Sequence, residues 1–348
     1  MKNKNKLLKS SKYLMAGLSL LLTGNVSATP RGVGDWSGTR LFGHAFAVDD
    51  FNSTQNNFIN NNFSIFTIEK RHARNRFGNP TSEEASRVVA GEIRDRNDST
   101  DVLFYWNADI SYDTIYQTLF DRRIAEPRDF ELDENSVTGV SFPWRNIAFQ
   151  DFWRDTANNQ VASSQLTGVF VDAFFRNELY GTDVRALAAI TDLNGLVIYN
   201  GYRVTGTNVL AHRNVLDVTD GVFVEAFFHQ SVDTTAEGHL LMDELVNNVP
   251  SDKYILCRGA AGSFGTNFRF SHVAYLMVAN DKTFYSWGGS NNSYDADDSM
   301  TFFSTTFNIN TGPPLGKATR DGDVWTRSFE NATVTINMAS KTSNITLN

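Results

Sequence analysis

Two stretches 53 residues apart carry nearly the same octapeptide: Gly168–Phe175 reads GVFVDAFF and Gly221–Phe228 reads GVFVEAFF, differing only at Asp172 and Glu225. Along an extended strand side chains alternate faces with period two, so the two acids share a facing and a depth, near the carboxyl ends of their strands. An ionised carboxylate after Gly-Val-Phe-Val is costly to bury unless it is paired or opens onto solvent. For one such residue, a helix cap or a local Arg partner explains it as well as chemistry does; two in matched context point to a shared site. Paired carboxylates have a specific use in cleaving glycosidic bonds, where one is protonated to assist the leaving oxygen and the other attacks the anomeric carbon or activates water. Asp intrinsically titrates below Glu, which makes Asp172 the candidate nucleophile or base and Glu225 the candidate acid. Carboxyl groups about 5.5 Å apart favour retention and about 6.5–9.5 Å inversion, whereas more than about 10 Å defeats the mechanism.

Other strand ends supply groups able to hold a sugar. Tyr105-Trp106-Asn107 ends the third predicted strand, Asn200-Gly201-Tyr202-Arg203 follows the fifth, Arg258 ends the seventh and Trp287 the eighth. Aromatic faces suit the C–H surface of a sugar, and Asn and Arg hydrogen-bond its hydroxyls or acidic substituents. Glu69 ends the second strand as a third acid for the site, or as half of an ion pair with Lys70 or Arg71. Of the six histidines only His229, just past the sixth strand, is placed for substrate, and none shows metal-ligand spacing. Asp295, Asp297 and Asp298 lack the Gly and distal Glu of a calcium loop and read as a solvated acidic loop. No Gly-x-Ser-x-Gly elbow occurs. The single Cys257 sits in the apolar run Tyr-Ile-Leu-Cys and reads as a buried, inert thiol. Neither a metal nor an organic cofactor is expected.

The elements that must position these groups are eight short apolar runs: Gly43–Val48, Ser64–Glu69, Val102–Asn107, Gly168–Asp172, Leu196–Asn200, Gly221–Glu225, Tyr254–Arg258 and Thr283–Trp287. Most are continuous rather than alternating, as in parallel strands buried on both faces. Helical signals lie between them. Thr81–Glu84 and Thr234–Glu237 read as capping boxes, and Arg145–Thr156, Thr182–Thr191 and Ser271–Ala279 read as packed helices. Strand and helix alternating over about 250 residues predict a (β/α)8 barrel of the TIM type. An open doubly wound sheet is the competitor, weakened by the absence of a Gly-rich phosphate loop after the first strand. The Asn-rich run Asn52–Asn62 and the Asn/Asp-rich run Ser290–Ser299 are expected as loops on the site face. From about Thr301, runs at Phe302–Phe307, Val324–Phe329 and Thr333–Met338 predict a small antiparallel β appendage on the barrel. The expected organisation is a signal peptide over residues 1–28, a barrel over 29–300 and the appendage over 301–348.

That signal peptide combines five N-terminal lysines, an apolar run from Tyr13 to Leu22 too short to span a bilayer, and Val26-Ser27-Ala28 as a cleavage pattern. Its removal takes five lysines and no acid from a net charge of −8, leaving −13. A chain so acidic has no general attraction for phosphate backbones, so nucleic acid is not expected as a partner. The mature protein is expected in the periplasm or the medium, with a carbohydrate as its partner and no membrane attachment; a signal peptide does not separate the two compartments, and the sequence leaves the oligomeric state open.

Several of these segments resemble hypothetical glycosyl hydrolase family 15. They are Leu103-Phe-Tyr-Trp-Asn107, Phe152-Trp153, the Asp172 and Glu225 strands, Asn200-Gly201 with Arg203, Gly312-Pro-Pro-Leu-Gly316 and Trp325-Thr-Arg-Ser-Phe-Glu-Asn331. One departure is Asn331-Ala332, where such hairpins favour Asn-Gly; it touches the appendage only. More distantly, acids on the fourth and sixth strands are similar to those of the clan that includes α-galactosidases. That resemblance implies Asp172 as nucleophile, Glu225 as acid/base, and retention. It implies a reaction class and no substrate. Two rivals remain at this level: a carbohydrate-binding barrel without catalysis, against which both acids argue, and a polysaccharide lyase, for which Arg203, Arg258 and His229 would serve.

Overall fold

The computed structural model describes residues 30–45, 48–127, 131–132, 140–142, 144, 146–173, 184–206, 208–210, 213–225, 227–228, 232–260, 268–288, 297, 299–300 and 303–348. Residues 1–28, expected as a signal peptide, together with His229 and most of Ser290–Ser299, lie outside these residues. The eight apolar runs form eight parallel strands: β1 Leu41–Ala45, β2 Phe63–Ile68, β3 Asp101–Asn107, β4 Gly168–Asp172, β5 Leu196–Asn200, β6 Gly221–Val224, β7 Tyr254–Gly259 and β8 Thr283–Trp287. They pair in chain order, and β1 pairs with β8 to close the barrel. Helices on the outside bury the other face of each strand, which is why the strands read as continuous apolar runs.

Alternate residues of the repeated peptide, from its glycines to its acids, have positions that explain them. Gly168 and Gly221 begin their strands against the backbone of the next one. A Cβ at Gly168 would lie 2.0 Å from the Leu196 carbonyl oxygen, and one at Gly221 would lie 2.5 Å from that of Tyr254. Two residues on, Phe170 and Phe223 point into the barrel and meet edge to face at 5.1 Å, with His44 of β1 at 4.7 Å from Phe170. Two further on stand Asp172 and Glu225. The repeat thus builds the floor of the barrel interior and the two acids above it.

The intervening helices are α1 Ser53–Asn62, α2 Ser82–Arg94, α3 Ile147–Ala162, α4 Val184–Thr191, α5 Arg213–Val218, α6 Thr235–Asn247 and α7 Phe268–Val278, with additional helices at Arg74–Phe77 and Gln117–Ala125. Three local expectations are corrected. The Asn-rich run is helix α1 and not a loop, because Asn52 and Gln55 form a reciprocal capping box and Phe58 and Ile59 give it a buried face. Thr81 makes no side-chain cap for α2; its hydroxyl donates to the Gly78 carbonyl at 2.9 Å. Phe303–Phe307 is a π-helical turn rather than a strand. Its four-residue spacing sets Phe303 against Phe58 and Phe307 beneath His272. The second capping box, Thr234 with Glu237, forms as expected.

The C-terminal residues form a four-stranded antiparallel sheet: β9 Thr319–Asp321, β10 Val324–Ser328, β11 Ala332–Asn337 and β12 Thr342–Leu347. Trp325 and Arg327, with Ala332, Val334 and Ile336, form its buried face. Trp325 Nε1 donates to His239 Nδ1 of α6 at 3.0 Å. Arg327 Nη1 donates to the carbonyls of Leu276, Met277 and Ala279 at 2.9, 3.0 and 2.6 Å. These are the unpaired acceptors at the end of α7, where a cation also suits the helix dipole.

His272 of α7 is buried among Phe268, Tyr275, Tyr285 and Phe307, its Nε2 2.7 Å from the Thr39 hydroxyl. Burial pushes its pKa from 6.5 down to about 3. Below pH 6.5 the unfolded chain takes up a proton here that the folded protein refuses until about pH 3. Stability from this residue is therefore complete above pH 6.5 and falls as the pH drops towards 3, by up to about 4 kcal/mol. Thermal melts of wild type and His272→Gln across this range should show a shallower acid decline in the variant; parallel curves would exclude His272 as a source.

Candidate active site

Strand β5 lies between β4 and β6 and ends on Asn200. The Asn200 amide nitrogen donates to Asp172 Oδ1 at 2.9 Å and to Glu225 Oε2 at 2.9 Å. An amide NH2 carries two protons, so one is spent on each carboxyl. The accepting oxygens can be no farther apart than twice that hydrogen-bond length, and N–H bonds opening at ~120° place them about 5 Å apart. The two acids therefore flank one amide at the carboxyl end of the barrel, at a separation that would let one bond to carbon while the other handles a proton.

Strand β3 supplies the other side. Its register sets Tyr105 beside Phe170 and Asn107 beside Asp172. The Tyr105 hydroxyl donates to Asp172 Oδ2, which Asn107 Nδ2 also approaches at 3.5 Å. Lys70, just beyond β2, reaches Glu69 at 2.6 Å and the Tyr105 hydroxyl at 3.2 Å. Burial raises the pKa of the Glu69 carboxyl more than the Lys70 charge lowers it, and the nearby Asp172 charge adds to the rise. Burial disfavours the Lys70 ammonium, yet Glu69, Tyr112 and Asp172 together outweigh it and raise its pKa. Burial foremost, then Asp172 and Glu69, push the Tyr105 phenol far above its usual range.

The expected site residues divide by facing. Asp172, Glu225, Asn200, Asn107 and Glu69 converge at the carboxyl end of the barrel. Arg258 is buried on β7, where its charge, after burial itself, holds the His44 imidazole well below its usual pKa. Arg203 opens a short hairpin with Asn208–Leu210 that packs on α6. Trp106 and Trp287 are corrections: both sit on the helix side of the wall. Trp106 Nε1 donates to the Trp153 carbonyl of α3 at 3.1 Å, and its ring meets Tyr116 at 5.0 Å. Trp287 packs edge to face on Phe268 of α7 at 5.3 Å. Period two decides this, since Tyr105 and Asn107 face inward and Trp106 between them cannot.

These outward aromatics still serve the site. The Tyr116 hydroxyl donates to the Tyr105 carbonyl at 2.8 Å, Trp153 Nε1 to that of Asn107 at 2.9 Å, and Trp144 Nε1 to that of Ala108 at 2.9 Å. The chain at the end of β3 is thereby held by its carbonyls at Tyr105, Asn107 and Ala108. Sequence reasoning took Tyr105 only as one of the strand-end groups for a sugar and Lys70 only as an ion-pair partner, and missed that Tyr105 reaches Asp172 and Lys70 the Tyr105 hydroxyl. Parity with Asn107 was a usable signal for Tyr105; Lys70, adjacent to an acid, carries none beyond the ion pair.

A family model described as hypothetical glycosyl hydrolase family 15 matches residues 94–333. No curated protein matches the chain by sequence. Among solved structures, Eubacterium rectale Amy13B is similar at 10% identity and a TM-score of 0.56, over 89% of this chain and 88% of that one. The noncanonic maltogenic α-amylase AmyB from Thermotoga neapolitana is similar at 11% identity and a TM-score of 0.52, over 86% of this chain and 85% of that one. At such identities the likeness is one of fold.

Proposed function

The chain belongs to hypothetical glycosyl hydrolase family 15, and from that premise we propose that it is an exported, retaining glycosidase acting on a poly- or oligosaccharide. The observation that carries this reading is the Asn200 amide shared between Asp172 and Glu225, which suits the carboxyl separation of about 5–5.5 Å used in retention. In the first step an Asp172 oxygen bonds to the anomeric carbon as the glycosidic C–O bond breaks. The Glu225 carboxyl passes its proton to the departing oxygen. In the second step Glu225, now a carboxylate, takes a proton from water, whose oxygen bonds to the anomeric carbon as the ester to Asp172 breaks. Tyr105, Asn107 and Asn200 all donate to the Asp172 carboxylate, as an anionic nucleophile needs. Arg203, Arg258 and His229 are proposed to hydrogen-bond the sugar, in keeping with their strand-end positions. The basic, apolar and small-residue pattern of residues 1–28 supports export.

The test is a screen of polysaccharides and aryl glycosides, followed by proton NMR of the first product. Retention predicts that the anomer released initially matches that of the bond cleaved; the opposite anomer would sink the assignment. Exported protein should begin at Thr29.

A further inference from the structure

We propose that Tyr105 and Lys70 act as one positioning unit that holds Asp172 as an oriented carboxylate and sets how readily it bonds to, and leaves, the sugar. This rests on the glycosidase reading above. A phenol has one proton to give and two lone pairs to fill. Lys70 Nζ lies 3.2 Å and Asn107 Nδ2 3.1 Å from the Tyr105 oxygen, and both can only donate. The Asn107 amide is fixed in this sense because its oxygen accepts from the backbone N–H groups of Asp109 and Ile110 at 2.9 and 2.6 Å. With both lone pairs supplied by donors, the phenolic proton has one destination, Asp172 Oδ2.

Lys70 is itself held in place. Glu69 binds its ammonium at 2.6 Å, and the ammonium lies 4.3 Å from the centre of the Tyr105 ring and 5.0 Å from that of Tyr112. A cation donating to the phenol oxygen polarises the O–H bond and strengthens the hydrogen bond to Asp172. Asn200 holds the other oxygen, so the plane of the carboxylate is set from two sides. The groups facing Asp172 are Glu69 and Lys70 beyond β2, Tyr105 and Asn107 on β3, Tyr112 after it, Asn200 on β5 and Glu225 beyond β6, with His44 and Arg258 across the barrel. When the glycosyl ester breaks, the electron pair returns to an Asp172 oxygen, and the Tyr105 hydrogen bond stabilises the charge that reappears.

The test needs no substrate. Protein labelled with 13C at the Asp side-chain carboxyls is titrated by NMR, with Asp172 assigned through Asp172→Asn. Tyr105→Phe should move the Asp172 midpoint upward by about 1–2 pH units, the loss of one hydrogen bond to a charged group. Because Lys70→Met would strand Glu69, the double variant Glu69→Gln/Lys70→Met is compared with Glu69→Gln alone; its midpoint should lie higher by about half a unit or more. Lys70→Arg should stay near wild type. Midpoints unmoved by Tyr105→Phe and by the loss of Lys70 would overturn the proposal. Failure of the glycosidase reading would show separately, as hydrolysis surviving in Asp172→Asn.

Discussion

Asp172→Asn should lower kcat/KM for hydrolysis at least about a thousandfold while leaving the thermal melt close to that of wild type. The substitution is nearly isosteric, so the floor of Phe170 and Phe223 and the register of β4 are untouched. What it removes is the carboxylate oxygen proposed to bond to the anomeric carbon. It also places an amide where Tyr105, Asn107 and Asn200 all donate, so at least one of those donors loses a proper acceptor. A fluorosugar with a good leaving group should trap wild type as an ester, found by mass spectrometry on the peptide containing Asp172. The variant should trap nothing. Wild-type rates in Asp172→Asn, or a label on any other carboxylate, would reject the assignment.

Glu225→Gln should separate substrates by their leaving groups. For a natural glycoside, whose departing alkoxide needs a proton, kcat/KM should fall by about 10²–10⁴-fold. For a dinitrophenyl glycoside, which leaves without help, the first step should be nearly unaffected and the ester should accumulate, because no base remains to activate water. Added azide, a nucleophile that needs no base, should restore turnover and give a glycosyl azide. Equal losses on both substrates would remove Glu225 from the acid/base role. A barrel that merely binds carbohydrate would show neither pattern.

The long-range plan was written in the chain because parallel barrel strands leave a strong trace. Helices cover them outside and side chains fill them inside, so each reads as a continuous apolar run, and all eight were identifiable. The two acids were legible for a further reason: a charge ending an apolar strand, twice in the same context, is costly without a use. Some local detail was misread because composition misled. Asn-rich α1 reads as a loop until Phe58 and Ile59 are given a surface to cover, and Phe303–Phe307 reads as a strand until Phe303 and Phe307, four residues apart, are set against Phe58 and His272.

By itself the sequence determined the eightfold alternation, the shared facing of Asp172 and Glu225 and their place at the carboxyl ends of strands, all consequences of fixed local periods. Which residues meet those acids was decided by tertiary structure. Strand register sets Asn107 beside Asp172 and Tyr105 one step below, and the pairing of β2 with β3 brings Lys70, just beyond β2, to the Tyr105 hydroxyl. Strands buried on both sides give no compositional sign of which face is inner, so Tyr105 and Trp106 looked equally suited to a sugar. The pleat and its neighbours sent one to Asp172 and the other to the wall.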